Sequence, residues 1–146
     1  MGRSHVGSLR YPRIMLVHPL LAAWEDQSVT VRSVTELESC LALIEQEALR
    51  INFPVAVELE RSNAIFLLTV GGSRSMILFA LGTRPNFDIH YILSGSRRDP
   101  GFEFLYHGSH SEVDHNRTIA MGAAYQAALE FARNGVQPPF LPWEPN

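Results

Sequence analysis

Residues Val55 to Leu81 read VAVELERSNAIFLLTVGGSRSMILFAL, and their pattern decides the fold. Val55, Val57 and Leu59 alternate with Ala56, Glu58 and Glu60, the two-residue period of a strand with one covered face. Ser62-Asn63 predicts a hairpin turn. Ala64 to Val70 (AIFLLTV) is apolar on both sides, as a central strand must be. Gly71-Gly72-Ser73 turns the chain again, and Ser75 to Leu81 returns as a second inner strand.

Upstream, Ser33-Val34-Thr35-Glu36 has the form of a capping box, with Ser33 as N-cap and Glu36 reaching back. Leu37, Leu41, Ile44, Ala48 and Ile51 then mark the buried stripe of a first helix, with Glu36, Glu38, Glu45, Glu47 and Arg50 on its wet side. Val29, Thr30 and Val31 give Ser28 to Arg32 the character of a strand. The segment from Ile14 to Trp24 supplies another before the Glu25-Asp26-Gln27 turn. Residues 1–13 (MGRSHVGSLRYPR) read as a flexible leader, which leaves 14–146 as one domain.

Downstream, Phe87 to Leu93 places Ile89, Tyr91 and Leu93 on one face of a strand and Asp88, His90 and Ile92 on the other. A surface loop follows from Ser94 to Gly101. Phe102, Phe104 and Tyr106 form a short aromatic strand that turns at Gly108 into a second one, Ser109 to Asp114. Met121, Ala124, Tyr125, Ala128, Phe131 and Ala132 then recur at helical spacing. Gly135 sits where a left-handed residue closes a helix, and Pro138-Pro139 forbid its continuation. Trp143 is too large and apolar for a free tail, so it is expected to fold back over the core. The order of elements predicts an α+β two-layer sandwich: a mostly antiparallel sheet of about five to seven strands with two helices on one face.

The 146 residues are 46% apolar and 18% charged, the composition of a folded domain. Three of the 12 basic residues (Arg3, Arg10, Arg13) fall in the leader, so the remainder sets nine against 15 acidic side chains. An acidic body argues against nucleic-acid binding and suits a basic partner. The single cysteine, Cys40, rules out an internal disulfide and suits a cytoplasmic location. The apolar run Ile14 to Ala23 is too short to span a bilayer.

Chemistry is hard to find by spacing. His107, His110, Glu112, Asp114 and His115 could hold a metal, but a strand over 109–114 puts His110, Glu112 and Asp114 on one face and His107 and His115 elsewhere. Solvated strand and loop residues fit that pattern better. Cys40 lies in a helix stripe with no activating neighbour. Gly71-Gly72-Ser73-Arg74 is followed by a strand and has no Lys, unlike a phosphate loop.

The C-terminal third nevertheless resembles a known family. An aromatic strand ends in Tyr106-x-Gly108, then come Ser111-Glu112, an alanine-rich helix, the run Phe131-x3-Gly135-x2-Pro138 and finally Trp143. Trp24 before Val-Thr-Val and the helix opening Ser33-Val34-Thr35-Glu36-Leu37 agree with it. These features resemble immunity protein family Imm-one, the DddI-like proteins of bacterial polymorphic toxin systems, across Trp24 to Glu144. The three histidines depart from the family pattern.

The resemblance implies a cytoplasmic, non-enzymatic inhibitor without a cofactor. It would occlude the active site of a cognate toxin encoded beside it, a nucleic-acid deaminase or another nucleic-acid-targeting toxin. It implies no direct contact with nucleic acid or membrane, and a free state that is monomer or weak homodimer. Gly108, Phe131, Gly135, Pro138 and Trp143 are its architectural residues. Candidate toxin contacts are the polar and aromatic side chains of the late strands, Asp88, Tyr91, Glu103, Tyr106, Glu112 and Asp114, followed by Glu58 and Glu60. A small metal-dependent enzyme built on residues 107–115 and a generic interaction module are the alternatives.

Overall fold

The computed structural model describes residues 15–83, 85–93 and 101–145, with Thr83 as backbone alone. The expected leader therefore lies outside the described residues, as does the expected 94–101 loop apart from Gly101. In chain order the elements are β1 (Met15–Trp24), β2 (Gln27–Ser33), α1 (Val34–Ile51), β3 (Val55–Arg61), β4 (Ala64–Val70) and β5 (Arg74–Thr83). They continue with β6 (Asn86–Tyr91), β7 (Phe102–Tyr106), β8 (Ser109–Val113), a 3-10 turn (His115–Arg117), β9 (Thr118–Ala120) and α2 (Met121–Asn134).

Among the described residues the sheet has nine strands, with a main path β2-β1-β3-β4-β5-β6 in antiparallel order. This is the expected α+β sandwich with more strands than the sequence suggested. Both helices cover one face. Leu37, Leu41, Ile44 and Ala48 of α1 and Ala124, Ala128 and Phe131 of α2 share one core cluster with Val57, Leu59, Phe66, Leu68, Ile77 and Phe79 of the sheet. Phe131 stacks on Phe66 (ring centroids 5.6 Å apart) and meets Phe79 edge-on at 6.1 Å.

The opposite face is half covered. Strand β7 hooks onto the start of β3 by one parallel bridge, Val55↔Leu105, and the Leu105 N–H donates to the Pro54 carbonyl at 2.9 Å. The β7–β8 hairpin thereby lays Phe104 and Val113 over Ala56 and Leu67, a second small core. Strand β4, squeezed between the helices and this hairpin, is buried at all seven positions.

Local details follow from hydrogen-bond needs. Ser33 Oγ accepts from the Glu36 N–H at 3.1 Å, as the N-cap motif requires, but the Glu36 carboxylate accepts from Arg32, one residue before the cap. Ile51, expected in the buried stripe, is exposed at the end of α1. Helix α2 has no side-chain cap; its Met121 N–H donates instead to the Ser73 carbonyl at 3.0 Å. That contact follows from β9, three residues that pair with the start of β5. The register of β4 with β5 stops at Leu68↔Ile77, where β5 passes from β4 to β9. Thr69 and Ser75, both buried, fill the resulting gap: the Thr69 N–H donates to Ser75 Oγ and the Met76 N–H to Thr69 Oγ1, each at 3.0 Å.

The tail folds back as expected. Ile92 bridges Trp143, Leu93 and Glu144 exchange backbone bonds with Pro142 and Tyr91, and the indole packs on Phe79. No helix among the described residues is long and apolar enough to cross a membrane.

Candidate functional site: an apolar groove beside the β7–β8 hairpin

Strand periodicity puts alternate residues of β3 to β6 on the face away from the helices, and the registers align them in two rows. One row runs Leu21, Glu60, Ile65, Ala80, Ile89; the other runs Ala23, Glu58, Leu67, Leu78, Tyr91. Where the hairpin stops short of β6, the part of these rows from Glu58 on β3 to Ile89 and Tyr91 on β6, without Glu60, forms the floor of a groove of about 320 Å³, walled by Phe104 and Tyr106 and bordered by Phe87. Ile89 and Tyr91 at the open end are 44% and 38% exposed. Exposed side chains of this kind mark a face that can bind.

Glu58 is the charged group of the groove. Tyr106 Oη donates to its Oε2 at 2.9 Å, and His107 Nε2 lies 2.9 Å from its Oε1. The other ring nitrogen, His107 Nδ1, is 2.9 Å from the Glu25 carbonyl oxygen. A carbonyl and an ionised carboxylate can only accept, so this geometry favours the doubly protonated ring, with both nitrogens donating. Its pKa is raised above the ordinary histidine value, first by the Glu25 carbonyl and then by the Glu58 carboxylate, against a smaller opposing effect of burial. The Gly108 N–H completes the link by donating to the Glu25 carboxylate. The two turns so joined carry left-handed residues at Glu25 (φ 50) and His107 (φ 49).

Of the candidate contacts, Glu58, Tyr91 and Tyr106 come together in the groove, and exposed Glu60 flanks it beside Ile65. The other four lie elsewhere. Asp88 is on the helix-side face of β6, 3.2 Å from His90, because it falls one residue out of phase with Tyr91. Glu103 and Glu112 oppose each other on the outward face of the hairpin, with His110 at 3.7 Å from Glu103. Asp114 is exposed just beyond β8. Sequence reasoning missed Leu67 and Leu78 as site residues, since an all-apolar strand gives no hint of which side stays uncovered.

The histidines diverge. His107 serves Glu58 and Glu25, His110 packs on the Phe53 ring at 4.9 Å, and His115 lies in the 3-10 turn. Among the described residues no three His, Cys, Asp or Glu side chains gather as a metal-holding group. Cys40 is half-buried against the core, and that burial pushes its thiol pKa up, away from reactivity. Phe131 lies in the core, Gly135 closes α2 at φ 70, and the Pro138 carbonyl accepts the Trp143 indole N–H at 2.6 Å. No family model, curated protein or solved structure matches this chain.

Proposed function

We propose that this chain is an immunity protein, which binds a cognate polymorphic toxin and neutralises it by covering the toxin's active site, making and breaking no covalent bond itself. The observation that carries this reading is the groove: an apolar sheet face, aromatic at its walls, with Glu58 in its lining and Glu60 at its side. Tyrosines on such a face serve as binding anchors because they bury much area for little lost freedom. Within the groove Glu58 is paired with His107, and the Arg117 guanidinium that lies over the Tyr91 ring at 5.1 Å is paired with Glu144, so the negative character of this side comes from Glu60 and from Glu103 and Glu112 on the hairpin's outward face. A toxin that acts on nucleic acid, such as a deaminase, keeps a basic cleft for its substrate. An acidic face with an apolar centre suits that field in charge and speeds encounter. The sequence resemblance to immunity proteins points the same way.

Co-expression with the product of the neighbouring gene tests the proposal. Relief of toxicity and a complex of about nanomolar affinity are expected. Ile89→Asp and Tyr91→Ala, both at partly exposed positions, should each weaken it roughly 30-fold or more, as hot-spot losses do. Toxicity that persists on co-expression, or relief that both variants leave intact, overturns the reading.

A further inference from the structure

Strand β2 ends the sheet, and β1 is its one strand neighbour among the described residues. Trp24 and Gln27 flank a two-residue turn and pair directly, so Gln27, Val29 and Val31 direct their backbone groups at β1. Ser28 and Thr30 then direct theirs outward. Arg32 agrees with this alternation, since its N–H leaves the sheet for the Glu36 carboxylate. The strand has no proline, Arg32 is its one charged residue, and Val29 is 40% exposed. Natural edges are blunted by proline, charge or bulges; here the charge and the irregularity of the β1–β2 ladder both fall at the Arg32 end, so Gln27 to Val31 is left as a regular template for pairing.

We propose that β2 is the contact surface for a second copy of this chain, the two strands pairing antiparallel about a two-fold axis at Val29. In that register Ser28 faces the partner's Thr30, so the outward N–H and C=O groups of each strand satisfy those of the other. Val29 meets its own counterpart. Arg32 faces the partner's Asp26, an exposed carboxylate in the β1–β2 turn, so the strand's single charge finds its opposite on both sides of the axis. A one-residue shift would set the outward backbone groups of Ser28 and Thr30 against residues whose own groups point at β1, and a two-residue shift would set Arg32 against Trp24 or Ser28. Val29, Trp24, Val31 and the half-exposed Leu43 line an open groove of about 600 Å³ between β2 and α1. A two-fold axis normal to the sheet keeps both α1 helices on one side, and the two grooves then run together over the Val29 pair. The groove beside the β7–β8 hairpin stays open on each copy, so this contact is independent of toxin binding.

Sedimentation equilibrium of the full chain from about 1 to about 200 µM should show a monomer–dimer equilibrium. Val29→Lys, at an exposed position, should weaken it by about tenfold or more. Arg32→Asp and Asp26→Arg should each weaken it, and the two together should restore the wild-type constant to within about threefold. Restoration cannot come from a misfolded chain. A dimer indifferent to Val29→Lys overturns the proposal. So does a chain monomeric throughout the range.

Discussion

At His107 the imidazole bridges two turns that are 82 residues apart in the chain, through the Glu25 carbonyl, and holds Glu58 at the groove. Its raised pKa fixes the sign of a pH effect. The folded chain holds this proton more tightly than the unfolded one. The stabilisation is therefore complete below the unfolded value of about 6.5 and is lost as pH rises through the raised folded value. His107→Gln should lower the melting temperature more at about pH 6 than at about pH 9; an equal loss at both would remove the imidazolium from the account. Its side chain is 44% exposed, so solvent screening limits the effect to about 1 kcal/mol or less. Ser75 makes a sharper case. Ser75→Ala leaves the buried Thr69 N–H without its acceptor, and urea unfolding should show a loss of about 1–3 kcal/mol. Neither role was legible in the sequence. Glu58 and Tyr106 could be chosen from strand phase and residue type, but nothing local announces that a histidine in one turn meets a carbonyl in another.

Among elements, the β4–β5 turn lies tight against α1. A β-carbon on Gly71 would overlap the Ala48 methyl, and the backbone there has φ 113. Gly71→Ala should cost about 3 kcal/mol or more. In an Ala48→Gly background the same change should cost less, because the steric part is relieved and the backbone part remains; chemical denaturation of the four proteins measures the difference. Elements with strong periodicity were the legible ones. Helix α1, with its N-cap at Ser33, helix α2, closed at Gly135, and the β3–β4 hairpin follow directly from apolar spacing and turn residues. Strand β9 has three residues and no period of its own, so it escapes any pattern. Its existence depends on β5 exchanging one neighbour for another, a tertiary event. For the same reason β5 begins at Arg74, while its extension past Leu81 to Thr83 comes from pairing with β6.

For the molecule as a whole, the two faces of the sheet carry different tasks. The helix side supplies the main core, and the far side holds the groove and the small core beneath the hairpin. The α+β class was legible because two amphipathic helices and several alternating strands leave few ways to pack. The placement of β1 between β2 and β3, and of β7 at the start of β3, was not, since register between distant strands is set by packing. The returning tail has one further use. Trp143 lies at the β6 edge against Phe79, while Trp24, buried in β1, donates its indole N–H to Glu47 of α1. These are the chain's two tryptophans, so each serves as an intrinsic optical reporter for its own end of the sheet. In Trp24→Phe the remaining emission should shift red when the tail alone peels away; in Trp143→Phe it should wait for the collapse of β1 against α1. A titration in which both variants change together would mean that tail and sheet come apart as one cooperative unit.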